Sequence, residues 1–123
     1  MLEEKKRWRL CRDFKKGKFC FLIGVDNWSI ELQKSEFLSL YLLLIKIHKQ
    51  FSDIKNDLMD EEFISLELEQ LPWYIELEGK KNEWSLRFVF ESKDQTRSFE
   101  MYWPIPIAQN LFFEIKKMWE SMD

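Results

Sequence analysis

The side chains of this 123-residue chain that could carry chemistry are few and scattered. His48 is the only histidine. It falls on the apolar stripe of an expected helix, and one imidazole builds neither a metal site nor an activated nucleophile without partners beside it. The pattern fits a packed histidine. Asp57, Asp60, Glu61 and Glu62 offer the clustered oxygens that a hard divalent cation wants. No glycine permits a ligand loop there, however, and calcium-loop spacing is missing, so a solvated helix-to-strand connection is expected. Glu78 and Glu100 are carboxylates with no identifiable partner for acid–base chemistry. The sequence contains no Gly-x-Gly-x-x-Gly, no phosphate-binding loop, no Cys-x-x-Cys and no His-Glu-x-x-His. The expectation is a protein that is not an enzyme, with no catalytic residues, metal ligands or cofactor.

Charge is more informative than motif. The net charge is −3, but residues 1–18 hold eight lysines and arginines against three acids, a local net of +5. The remainder therefore carries −8. Arg7, Arg9, Arg12, Lys15, Lys16 and Lys18 form the candidate contact for an acidic partner or a nucleic acid. Residues 57–79, DLMDEEFISLELEQLPWYIELEG, contain eight acids and no lysine or arginine. Glu67, Glu69, Glu76 and Glu78 alternate there with apolar residues, so they form a candidate acidic interaction face.

These charges need elements to present them. Trp8 and Leu10 alternate with Arg7 and Arg9, predicting a strand over 6–11 with a turn at Lys15-Lys16-Gly17-Lys18. FCFLIG, 19–24, is apolar on both faces and reads as a doubly covered strand. Asp26-Asn27 is a turn signal, and Trp28, Ile30 and Leu32 mark a third strand. The period then changes. Phe37, Tyr41, Leu44, His48, Phe51 and Leu58 recur at helical spacing, with Leu38, Leu42 and Ile45 as a second stripe, predicting a central helix over 35–59 that frays near 56–59.

Four more strands follow, carried by Ile64/Leu66/Leu68, Trp73/Ile75/Leu77, Trp84/Leu86/Phe88/Phe90 and Phe99/Met101/Trp103. Their polar residues, including Glu91, Glu100, Tyr74 and Tyr102, point outward. Arg87 is the main cation expected to oppose the glutamates, with Arg97 at the edge. Pro106 suits the first turn of a second helix over 107–122, buried through Ala108, Leu111, Ile115, Met118 and Met122 and widened by Phe112 and Trp119. The fold class is α+β: two antiparallel sheets, each followed by a helix, in one domain over 1–123 with halves 1–59 and 60–123.

Composition agrees with one globular core: 46% of residues are hydrophobic, 33% are charged, and six Trp with eleven Phe can bury much area from few positions. The six tryptophans are expected inward, where a small-molecule cleft between sheet and helix is a minor alternative to plain core. Cys11 and Cys20 are expected to be reduced. The segment MLEEKKRWRL lacks the apolar stretch of a secretion signal, and the longest apolar run, 37–47, is too short to span a bilayer. A cytoplasmic protein without membrane insertion is the expectation.

Trp28-x-x-Glu31-Leu32, Leu58-Met59-x-Glu61-Glu62, Leu66-Glu67-Leu68-Glu69, Trp73, Leu77-Glu78-Gly79, Trp84, Arg97 and Trp103 together resemble an uncharacterised cyanobacterial family, a domain of unknown function. The resemblance covers nearly the whole chain. It implies a fold similar to the Whirly-type single-stranded-DNA-binding transcriptional regulators, with two motifs of four strands and a helix. A first-half strand would then be short or irregular. The resemblance brings no site residues.

A sheet that binds single strands needs cations along the phosphates and aromatics for the bases. The glutamate-rich face would repel phosphate. The expected function is therefore a non-catalytic binding or assembly module acting through protein contact or self-association. Single-stranded nucleic-acid binding through the basic half is the alternative.

Overall fold

The computed structural model of the chain describes residues 2–4 and 7–122. Its elements run β1 (Leu2–Glu4), β2 (Trp8–Arg12), β3 (Phe21–Val25), β4 (Trp28–Leu32), α1 (Lys34–Lys55), β5 (Ile64–Gln70), β6 (Trp73–Lys80), β7 (Glu83–Glu91), β8 (Ser98–Trp103) and α2 (Ile107–Glu120). Two antiparallel four-stranded sheets result, ordered β1-β2-β3-β4 and β5-β6-β7-β8. Each is a meander, so every partner is the next strand in sequence, and each is followed by a helix. The fold class is as the alternation implied. The first sheet has one more strand than the three expected. β1 pairs Leu2 with Cys11 and Glu4 with Arg9, in a piece too short to show a period of two. Lys6, the expected start of the next strand, lies outside the described residues.

In the second sheet the register stacks the apolar positions into rows. Leu66, Leu77, Leu86 and Trp103 form one; Leu68, Ile75, Phe88 and Met101 the next. Burying one row while wetting its neighbours is what the two-residue period dictates. Gly79 stands between Ile64 and Trp84, at φ +157. A Cβ there would overlap the Glu83 carbonyl oxygen, and no L side chain adopts that backbone comfortably.

α1 packs on β5 and β6, and reaches the first sheet where Phe37 stacks on Phe21 at 4.0 Å. α2 lies on β7, β2 and α1, tying the two sheets into one core. The main stripe of α1 holds through Phe51: Phe37, Leu44 and Phe51 are buried, with Tyr41 and His48 beside them, whereas Leu58, its expected last member, lies beyond the helix end and is half-buried. The second stripe is shifted. Leu40, Leu43 and Ile47 are buried, whereas Leu38 and Ile45 are half-buried and Leu42 is exposed. Both stripes were apolar in sequence, and only the position of the sheets decides which is covered. α1 ends at Lys55, just short of the expected fraying.

Four tryptophans are buried (Trp8, Trp73, Trp84, Trp103), while Trp28 and Trp119 are only partly covered. Both cysteines are free thiols. No helix among the described residues is long and apolar enough to cross a membrane.

Candidate interaction surface

The basic hairpin uses its charges on itself. The Arg7 guanidinium makes a two-pronged ion pair with Asp26, at 2.9 and 3.0 Å, in the β3–β4 turn. That contact lowers the Asp26 carboxyl and raises Arg7 further. Arg9 lies flat across β3. It donates to the carbonyls of Asp26 (3.2 Å) and Trp28 (2.9 Å), over a strand position that only glycine can occupy. A Cβ on Gly24 would collide with the Arg9 guanidinium. Lys16 pairs with Glu31 of β4, and that hydrogen bond raises its ammonium. Arg12 sits 5.8 Å from the Phe14 ring and Lys18 5.9 Å from the Phe19 ring. Lys15 is exposed on a short 3₁₀ turn capped by Asp13. The six candidate cations thus divide between the two ends of β2, Arg7 and Arg9 toward the β3–β4 turn and Arg12, Lys15, Lys16 and Lys18 toward the β2–β3 connection, with Arg7, Arg9 and Lys16 already engaged within the sheet.

The acidic face is assembled as the strand period requires. Cross-strand rows run Glu67–Glu76–Arg87–Tyr102 and Glu69–Tyr74–Val89–Glu100, with Glu78 beside them opposite Ser65 and Ser85. Both helices lie on the other side of this sheet, so the glutamate face meets solvent. Arg87 in its middle is flanked by Glu76 at 3.5 Å and Glu100 at 3.7 Å, and is shared between them. Tyr74 donates its hydroxyl to Glu67 (2.6 Å) and Glu76 (3.2 Å).

Titration of these groups follows from their contacts. Burial pushes Glu76 up, but hydrogen bonds from Glu78, Arg87 and Tyr74 outweigh it and hold Glu76 below its usual value. Glu78, hydrogen-bonded to Glu76, is raised. The hydrogen bond to Glu67 leads the causes that push the Tyr74 phenol up to about 12. Folding therefore favours neutral Tyr74, and its contribution to stability, full below the ordinary phenol range near 10, is lost as pH rises from about 10 to about 12. Ultraviolet titration should show Tyr74 forming tyrosinate only near pH 12. In Glu67→Gln this transition should fall toward the ordinary value near 10; an unchanged transition would mean that Glu67 does not hold the phenol.

A third polar constellation joins the halves, and the sequence reading did not find it. Glu36, in the first turn of α1, is buried at 8% exposure. It accepts the backbone N–H of Gln33 at 2.9 Å and Nη1 of Arg97 at 2.8 and 3.1 Å. Arg97 also donates to the Glu31 carbonyl at 2.9 Å and sits over the rings of Phe19 and Phe90. Arg97 therefore does not oppose the outer glutamates, as expected, but turns back to clamp α1. Its loop is internally hydrogen-bonded: Asp94 accepts from Ser92 and Thr96, which lowers its carboxyl to about 2.

His48 packs as an aromatic, 4.5 Å from Phe112 and near Trp84. Burial, then Lys55 and Lys116, lowers its pKa. Of the acidic connection, Glu61 pairs with Lys80 at 3.6 Å and Glu62 caps Met59. Among the described residues no three potential ligands converge on a metal position. An open apolar cleft of about 500 Å³ lies at the start of α2, between Trp8, Ile107 and Phe113. Trp8 is the only tryptophan in its lining, so the other five do not form the cleft considered from sequence.

A family model described as a domain of unknown function, DUF1818, matches residues 3–118. The chain is similar to a solved protein of unknown function from the DUF155 family of Prochlorococcus sp. NATL2A, with 34% identity and a TM-score of 0.90. That likeness covers 97% of this chain and 98% of the other. None of the curated proteins matches.

Proposed function

We propose that this chain, which belongs to the DUF1818 family, a domain of unknown function, is a non-catalytic protein-binding module whose contact surface is the outer face of the β5–β8 sheet. The observation that carries this reading is the unpacked row of carboxylates. Glu67, Glu69 and Glu100 face solvent on a rigid sheet with both helices on the opposite side. Such a surface selects a cationic partner and suppresses acidic ones. The repeated order of four strands and a helix supports a Whirly-like arrangement of the halves, but that likeness lends nothing to the glutamate face. We place the protein in the cytoplasm of a photosynthetic bacterium, supported by the cyanobacterial relative and the two free thiols.

Nucleic-acid binding through the basic hairpin is disfavoured by the same geometry. Arg7 and Lys16 would have to leave Asp26 and Glu31 to reach phosphate. Two measurements test the reading together. Fluorescence anisotropy with single-stranded DNA at low salt should show no saturable binding. Capture on the immobilised chain from native cyanobacterial lysate should recover the same protein partner before and after nuclease. Tight, steeply salt-dependent DNA binding that falls in Arg9→Ala, with partners lost after nuclease, would replace this function with the nucleic-acid one.

A further inference from the structure

Both edges of the second sheet lack a further strand partner, and they differ in what flanks them. At its β8 side, the first sheet's β4 edge lies alongside: Ile30, Glu31, Ser98 and Phe99 line one cleft, bridged by Arg97. At the other side, β5 bonds to β6 alone. Exposed edges are normally blunted by proline, lysine, a bulge or short length. β5 has none of these; its edge carries only the outward charges of Glu67 and Glu69, which deter acidic strands and leave basic ones admissible. It is seven residues long, ISLELEQ, in unbroken register with β6 from Ile64 to Gln70. Large apolar side chains stand exposed at both ends: Met59 (77%) and Phe63 (63%) before it, Leu71 (75%) after it. Leu66 and Leu68 face the core, yet they remain half-buried.

We propose that this edge takes up an extended peptide segment of alternating basic and apolar residues as a fifth strand of the sheet. This rests on the acidic-face reading above and names its partner chemistry. Backbone bonds to an edge strand supply affinity in such complexes, and alternate side chains supply selection. On the outer side the incoming strand's residues come about 5 Å from Ser65, Glu67 and Glu69, within reach of a direct ion pair. Lysine or arginine two residues apart extends the rows that begin with Glu67 and Glu69. Apolar residues between them fall on the core side, beside Leu66 and Leu68. A second copy of this chain fits worse. The antiparallel β5–β5 pairing that overlaps the whole strand and keeps the apolar faces together sets Glu67 against Glu67 of the other copy, and a two-residue shift sets Glu67 against Glu69; like charges across strands are destabilising.

The probe is an end-blocked octapeptide, (Lys-Val)₄, labelled for anisotropy and titrated into the full chain. Its control has the block sequence Lys₄Val₄, with the same composition and charge but no alternation. The alternating peptide should bind about tenfold tighter than the block peptide, a difference of about 1.4 kcal/mol. Amide resonances of residues 64–70 should shift most in the ¹⁵N spectrum. Glu67→Lys/Glu69→Lys should abolish the binding. Equal affinities for the two peptides, or shifts centred on Arg87 and Tyr102, would overturn the strand-addition proposal while leaving the acidic face as the contact surface. Failure of both peptides to bind would remove both readings.

Discussion

Arg97→Ala is expected to lower the free energy of unfolding by about 3 kcal/mol, because it strands a buried carboxylate rather than merely deleting a surface contact. Glu36 is 8% exposed and depends on the guanidinium for two of its hydrogen bonds. The Arg97 side chain is itself 27% exposed, which places the cost at the lower end for buried pairs. Arg97→Ala/Glu36→Gln should recover about half the loss, since a neutral amide tolerates burial better than an unpaired charge. Urea denaturation checks both. A double variant as unstable as Arg97→Ala alone would mean that the arginine acts through its packing on Phe19 and Phe90, not through Glu36.

Trp73→Ala is the most damaging single core change expected, at about 4 kcal/mol. The indole is fully buried, lies 4.7 Å from Phe90, and contacts Phe88 and Phe99 edge-on. Its Nε1–H donates to the Glu36 carbonyl at 3.0 Å, so α1 is held from both sides of one residue. Trp103 offers an internal contrast. It is equally buried, but its Nε1 meets no acceptor among the described residues. Trp→Phe should therefore cost more at position 73 than at 103 by about 1–2 kcal/mol, the worth of a satisfied buried hydrogen bond. Equal losses in the two variants, read from thermal or urea unfolding, would contradict that assignment. Trp73→Ala and Arg97→Ala should also combine non-additively, because both act on Glu36.

Much of this architecture was legible because burial on one face imposes a period that a single sequence displays. β5 to β8 and α2 were readable from Ile64 to Met118 for that reason. β1 was not, since three residues cannot show alternation. The buried side of α1 was half legible. Leu38, Leu42 and Ile45 are as apolar as Leu40, Leu43 and Ile47, and the choice between them is made by where the sheets lie. The candidate surfaces divide in the same way. The acidic face follows directly from parity along β5 and β6. The engagement of the basic hairpin depends on Asp26 and Glu31, which reach it only through the pairing of β2, β3 and β4. One signal for it was present: Gly24 interrupts an apolar strand, and a glycine there marks a close approach. Arg97 had no such mark, because its partner Glu36 is 61 residues away.

The most direct measurement compares capture by the wild-type chain and by Glu67→Lys/Glu69→Lys from nuclease-treated cyanobacterial lysate. Both side chains are solvent-facing, so thermal unfolding of the variant should stay within about 1 kcal/mol of wild type. A basic protein partner is predicted to be retained by the wild type and lost by the folded variant. Equal recovery by both would contradict the assignment of the acidic face as the contact surface.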